Sequence, residues 1–306
     1  MEPRIWLIGG PTASGKTAIS LRLAREIGGE IVNADSIQLY DDLSVLSARP
    51  TPEEMAEAPH HLFGVADGAQ AWSVGAWRRA VLPIIAGIRA RGASPILVGG
   101  TGLYFRSLTH GLADIPAAAP DIRAQTGAQF DALGEAAFRA RLGEIDPAAA
   151  ARIAPGDRQR LVRAWEVYLA AGRSLSDLQA ATTAPLAPGD WRGVVVEPPR
   201  DALYARCDAR LAAMFEAGAV EEVSGLIARG LDPDLPVMKA LGLREVAAWQ
   251  AGEMTRGQAL AAAQQETRRY AKRQATWFRN QTADWPRVSA TTPEDQWRQF
   301  LALGAP

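Results

Sequence analysis

The chain has 306 residues, 48% hydrophobic and 22% charged, and its 33 Lys and Arg against 34 Asp and Glu give a formal net charge of −1. That balance excludes a disordered or fibrous protein, and the length suffices for one large domain or two modest ones with a real core. The single cysteine, Cys207, excludes a disulfide framework, and the longest near-continuous apolar run, Ala80 to Ile88, is far short of the roughly 20 residues of a membrane helix, so a soluble cytoplasmic protein without a membrane partner is expected.

In chain order, Ile5 to Ile8 reads as a short buried strand, and after a glycine-rich turn Lys16 to Ile27 carries a helical apolar pattern that Gly28-Gly29 ends. Glu30 to Asn33 is a second strand candidate. Ser73 is a fitting N-cap for a helix running to about Arg91, with Pro83 expected to kink it or mark a restart. Pro95 to Val98 is a third strand, followed by glycines and a helix over Gly102 to Thr109. Strands alternating with helices predict a parallel sheet with right-handed crossovers. From Pro116 to Pro188 the pattern changes to helices over 121–133, 135–142 and 157–171, without a strand. Trp191 to Val196 resumes strand character, and the rest is mostly helix to about Arg279. The expected architecture is therefore an α/β core formed by 1–115 and 189–306, a parallel sheet flanked by helices, with an all-helical insertion over 116–188, and the G-x-x-x-x-G-K-T loop at 10–17 after the first strand makes that core one of the phosphate-loop NTPase kind.

Gly10-Pro11-Thr12-Ala13-Ser14-Gly15-Lys16-Thr17 matches the G-x-x-x-x-G-K-[ST] phosphate loop between a strand and a helix, the context that gives the pattern its meaning. Its backbone N–H groups and the helix N-terminus attract phosphate oxygens, Lys16 neutralises them, and the Thr17 hydroxyl can ligate Mg²⁺. Only three of the 33 basic residues are lysines, so a lysine inside a motif stands out against an arginine background. Most phosphate-loop enzymes place an aspartate after a later hydrophobic strand to hold Mg²⁺. Here that strand runs into Gly99-Gly100-Thr101, and the acid, Asp35, ends the second strand instead. An aspartate at the carboxyl end of a parallel strand points into the crevice where α/β sheets bind ligands.

These residues resemble the tRNA dimethylallyltransferases. The likeness rests on G-P-T-A-S-G-K-T at 10–17, N-A-D-S-x-Q-x-Y at 33–40, H-H-L at 60–62 and V-G-G-T-G-L-Y at 98–104, and continues in D-x-x-R-L-V-R-A-x-E-V-Y at 157–168 and A-K-R-Q-x-T-W-F-R at 271–279. The resemblance implies transfer of a dimethylallyl group from dimethylallyl diphosphate to N6 of adenosine 37 in the anticodon stem-loop of tRNAs that read codons beginning with U, by a monomer using Mg²⁺. It implies that residues 10–17 hold the donor diphosphate, with Thr17 on the metal. Asp35 would be the general base, Thr101 a contact to donor phosphate and base, and Arg210 a diphosphate ligand. Asp35, Ser36, Ile37, Gln38 and Thr101 would lie at the target base, and Arg123, Gln159, Arg160, Leu161, Val162, Arg163, Lys239 and Arg244 would contact tRNA.

Arg49 and Leu243 depart from the family pattern, which has lysine and tyrosine there. Adjacent His60 and His61 diverge in direction and lack a third ligand nearby, so a structural or diphosphate-side role is expected over zinc. A near-neutral charge is unusual for an RNA binder, but Arg158, Arg160 and Arg163 cluster, as do Arg268, Arg269, Lys272, Arg273 and Arg279 with Tyr270, Trp277 and Phe278 between them. The competing readings are a small-molecule kinase using ATP, weakened by the missing aspartate, and a non-catalytic RNA-binding module, which has no use for Asp35 beside a phosphate loop.

Overall fold

The structure is a computed structural model and describes residues 4–113, 115 and 118–304. The chain forms two compact units, Met1–Arg106 with Leu186–Pro306, and Ser107–Pro185. The division thus falls at 106/107 and 185/186 rather than at 115/116 and 188/189, and Pro116, the expected first residue of the insertion, lies outside the described residues.

The first unit is built on six parallel strands: β1 Ile5–Gly9, β2 Glu30–Asn33, β3 His60–His61, β4 Pro95–Gly99, β5 Trp191–Val196 and β6 Arg287–Val288, in the order β3-β2-β4-β1-β5-β6. The central strands are buried throughout, which is why they read as continuous apolar runs rather than alternating ones. Helices α1 Lys16–Ile27, α2 Pro52–Glu57 and α3 Val74–Ala90 follow the first strands, with α4 Gly102–Thr109 after β4. Ser73 caps α3 by accepting from Ala76 N at 3.1 Å, and the helix continues through Pro83 without a restart.

The second unit holds α5 Pro120–Ile145, α6 Pro147–Arg152, α7 Arg158–Ala171 and α8 Leu175–Ala180. Gly134, with φ 72°, breaks α5 where the sequence predicts the boundary between two helices. Its core joins Phe138, Leu142, Ala149, Leu161, Ala164 and Trp165. The chain then returns to the sheet for α9 Arg200–Glu216, α10 Ala219–Ala228, α11 Leu243–Gln250, α12 Arg256–Gln281 and α13 Pro293–Ala302.

On one face of the sheet, Trp6, Ile8, Ile31, Ile96, Val98, Val194 and Val196 pack with Ile19, Leu23 and Ala24 of α1 and with Trp297 and Phe300 of α13. On the other, Phe278 of α12 lies so close to Gly9 that a Cβ there would stand 2.4 Å from its ring, and the Trp77 indole of α3 donates to the Asn33 carbonyl at 2.9 Å. α2, β3, β6 and α13 are absent from the sequence reading. The two strands are only two residues long, too short to show a period. α13 was legible: Thr292 caps it, Pro293 occupies its first turn and Glu294 and Asp295 follow.

Candidate active site

The site forms where β1, β2 and β4 end. The loop from Gly10 to Gly15 turns back on itself with Gly10 at φ 148°, Ala13 at φ 60° and Gly15 at φ 104°. A Cβ at Gly10 would sit 2.3 Å from the Val196 carbonyl oxygen, so glycine is needed there for space as well as for φ. Side chains from distant helices fix the loop. Gln296 of α13 donates to the Ser14 carbonyl at 2.9 Å, and Arg206 of α9 reaches the same oxygen at 3.3 Å. Gln274 of α12 accepts from Thr12 N at 2.8 Å, and Arg210 of α9 donates to the Thr12 hydroxyl.

Lys16 donates to the Pro11 carbonyl at 2.6 Å. Burial pulls its ammonium down to about 7, with Asp35 opposing and Arg210 reinforcing the fall. Burial lowers Arg210 as well, against the opposing influence of Cys207 and Asp35. Two cations held out of water side by side are costly, and an anion between them removes the cost. The loop is therefore charged for a ligand of opposite sign. The Ser14 hydroxyl, buried and without a partner among the described residues, is a further polar atom on this lining.

Asp35 stands one residue beyond Ala34, at the carboxyl end of β2. Its backbone N donates to Asn33 Oδ1 at 2.7 Å, and its Oδ1 accepts from Ile37 N at 3.1 Å, which turns the chain and fixes the carboxylate. Its Oδ2 accepts no hydrogen bond from a described residue. Thr101 Oγ1 accepts from Ser36 N at 3.0 Å, tying the turn after β4 to the turn after β2. The tie depends on Gly99, where a Cβ would lie 2.0 Å from the Ala34 carbonyl oxygen. Burial, with Asp35 adding to it, pushes the phenols of Tyr104 and Tyr270 well above their ordinary value, so both stay neutral.

A cleft of about 650 Å³ is lined by Thr12 to Thr17, Asp35, Gln38, Arg206, Arg210 and Gln296, with Ile31, Phe63 and Val98 as apolar wall. The predicted diphosphate residues Thr12, Ala13, Ser14, Gly15, Lys16 and Thr17 thus share one space with Asp35, Gln38 and Arg210. Gly10 and Pro11 form the base of the loop, and Ser36, Ile37 and Thr101 adjoin Asp35. His60 also lines the cleft; its Nδ1 bonds the Ala58 carbonyl at 2.7 Å and burial lowers its pKa, so it is neutral there. His61 bonds Glu30 instead, at 2.7 Å. Among the described residues no group of three or more His, Cys, Asp or Glu could hold a metal.

The residues expected at tRNA divide. Arg123 of α5 and Gln159 and Arg160 of α7 are exposed in the helical unit, while Arg163 is half-buried and pairs with Glu166 at 3.3 Å. Leu161 is fully buried in the helical core, where its side chain holds the helix, and Val162 is also buried. Lys239 and Arg244 are exposed in the first unit, outside the cleft lining. Arg49, the departure from lysine, donates to the Tyr40 carbonyl at 3.2 Å and covers Gly64, and Leu243 is a core residue. The bracing roles of Arg206, Gln274 and Gln296 were missed by the sequence reading, because nothing local marks a pairing across more than 190 residues.

A family model described as IPP transferase matches residues 38–281, and one described as isopentenyl transferase matches residues 3–62. The tRNA dimethylallyltransferase of Phenylobacterium zucineum (strain HLK1) is 66% identical over 302 residues, 99% of this chain and 98% of that protein. That of Caulobacter sp. (strain K31) is 57% identical over 98% of this chain and 97% of its own length. The crystal structure of the full-length tRNA isopentenylpyrophosphate transferase from Bacillus halodurans superposes with a TM-score of 0.70 at 32% identity, covering 99% of this chain and 97% of that one. The parallel sheet with its phosphate loop is thus the fold of these enzymes, and the chain belongs to the tRNA dimethylallyltransferase family, a prenyl-transferring, tRNA-modifying enzyme.

Proposed function

We propose that the cleft binds dimethylallyl diphosphate and transfers its dimethylallyl group to N6 of adenosine 37 in the anticodon loop of tRNAs reading codons that begin with U, releasing diphosphate. The observation that carries this reading is the shared cleft: an anion cradle and a fixed, half-free carboxylate line the same space. Cleavage of the allylic C–O bond puts negative charge on the departing diphosphate. Lys16, Arg210 and the N–H groups of the loop stabilise that charge, an electrostatic contribution that in many enzymes exceeds any other. The adenine amino nitrogen is a weak nucleophile because its lone pair is delocalised into the ring. Asp35 accepts its proton through Oδ2 as the N–C bond forms, which by the usual magnitude of general base catalysis is worth about 10²–10⁴ in rate. The base reaches the cleft by leaving its stack, which is inexpensive in a single-stranded loop.

Mg²⁺ fits this donor set. The Thr17 hydroxyl at the start of α1 is exposed to the cleft, and Mg²⁺ is commonly held by few protein ligands together with phosphate oxygens and water. Bound there by Thr17 and the donor, it would offset the diphosphate charge. No described helix is long and apolar enough to cross a membrane, and we place the enzyme in the cytoplasm as a monomer. The test is incubation with unmodified tRNA, Mg²⁺ and either prenyl-labelled dimethylallyl diphosphate or γ-labelled ATP. Label entering RNA from the first is expected. Phosphate passing from the second to a small hydroxyl compound would instead make the protein a kinase.

A further inference from the structure

The loop that holds the donor and the turn that carries Thr101 belong to different strand ends, and one side chain joins them. Gln274 of α12, only 6% exposed, accepts from Thr12 N through Oε1 at 2.8 Å and donates from Nε2 to the Gly100 carbonyl at 3.0 Å. Its orientation is not interchangeable: a backbone N–H on one side demands the oxygen, and a carbonyl on the other demands the nitrogen. Room for it comes from Gly100, where a Cβ would lie 2.1 Å from Nε2. On the donor side, the hydroxyl of the same Thr12 takes the Arg210 hydrogen bond. On the acceptor side, Gly100 precedes Thr101, whose Oγ1 holds Ser36 N and with it the turn that fixes Asp35. A path of hydrogen bonds and two peptide links, Gly100–Thr101 and Ser36–Ile37, therefore runs from the diphosphate cradle through one amide to the base's carboxylate.

We infer that Gln274 is a positioning residue that sets the distance between the donor cradle and the Thr101–Asp35 turn, so that leaving group and nucleophile meet in line. This rests on the transfer reaction proposed above. Gln274 touches neither substrate; it acts through Thr12 and Gly100. Its loss leaves Lys16, Arg210 and the loop N–H donors available to diphosphate, while the two halves of the site lose their common register. Misplacement by about 1 Å is enough to cost on the order of 10²-fold in rate.

The experiment uses the full-length enzyme with labelled dimethylallyl diphosphate and unmodified tRNA. Gln274→Leu removes both bonds at similar size. It is expected to lower kcat by about 100-fold while changing the donor KM and the tRNA Kd by less than about threefold. Gln274→Glu keeps the acceptor for Thr12 N but, when ionised, opposes the Gly100 carbonyl with a second acceptor. Protonated, it regains a donor, and burial brings that protonation into the working range. Its kcat relative to wild type is therefore expected to rise from pH 8 to pH 6, by at most about tenfold per unit, whereas the Gln274→Leu ratio stays flat. A folded Gln274→Leu enzyme within about threefold of the wild-type kcat overturns the inference, as does a Gln274→Glu ratio independent of pH. Should Gln274→Leu not fold, the Gln274→Glu profile alone decides. Wild-type enzyme that transfers no label would strike the proposed reaction itself, a result separate from either variant.

Discussion

The loop at 10–17 and helix α7 both stand out in the sequence as motifs, and the structure treats them differently. Each position of the loop has one possible use: its glycines are demanded by space and φ, and its Lys and Thr face the cleft. A run such as Gln159 to Arg163 spans more than one helical turn, so neighbours in sequence point in different directions. Arg160 is exposed beside Asp157 at 3.0 Å, whereas Leu161 is packed against the core of its own unit. A motif in a tight loop specifies side-chain roles; a motif along a helix specifies positions that still have to be sorted by face.

The largest expected effect falls in the tight turn after β2, which faces the loop across the cleft and, like it, fixes each side chain's role. Asp35→Asn preserves shape and the turn but removes the base, and turnover is expected to fall by about 100-fold or more with tRNA binding unchanged. Single-turnover rates beside a tRNA binding isotherm check it, and an unchanged rate removes Asp35 from the role. On the helix side, Leu161→Ala is expected to destabilise the helical unit by about 2–5 kcal/mol through an internal cavity, while Gln159→Ala stays within about 0.5 kcal/mol. Urea unfolding of the two variants separates them; equal losses would mean that burial does not sort this motif.

A third measurement varies pH. Because burial holds the free Lys16 ammonium near 7 and diphosphate favours its charged form, donor affinity is highest with the proton on. Above pH 7 binding must take up that proton, so the donor KM is expected to rise from pH 7.5 to 9, by at most about tenfold per unit, while tRNA affinity is little changed. In the ligand-free protein the sign is reversed: the unfolded chain, with the ordinary value of 10.5, holds the extra proton, so this group adds stability as pH rises from about 7 towards 10.5. The smallest effect belongs to the arginines of α7, one exposed and one half-buried. Replacing Arg160 and Arg163 together with Ala is expected to weaken tRNA several-fold and flatten its log–log salt slope by up to about two, with donor KM unaffected. A preserved slope would separate α7 from the RNA.

What was legible in the sequence follows the same division. β1, β2, β4, β5 and α1, α3, α4 are read correctly because buried runs and caps are local signals. The placement of Asp35, Lys16, Thr17 and Arg210 about one cleft follows from the topology that those strands impose. The exposed ends of α7 could have been told from its buried ones: Leu161, Ala164, Trp165 and Tyr168 already repeat at helical spacing. Gln274 stands in the A-K-R-Q motif, but the bracing roles of Gln274 and Gln296 were not legible, since an amide that satisfies two backbone groups leaves no periodic trace.

The tie between Ser14 and Gln296 joins residues 282 apart in the chain. A ribosome therefore makes the pyrophosphate cradle 282 residues before its prop, so a nascent chain carries the catalytic loop through that whole stretch of synthesis before α13 can steady it. Loss of α13 would leave Lys16, Asp35 and Arg210 in place and yet the cradle slack, a defect visible as weakened donor capture in a protein whose active-site residues are intact.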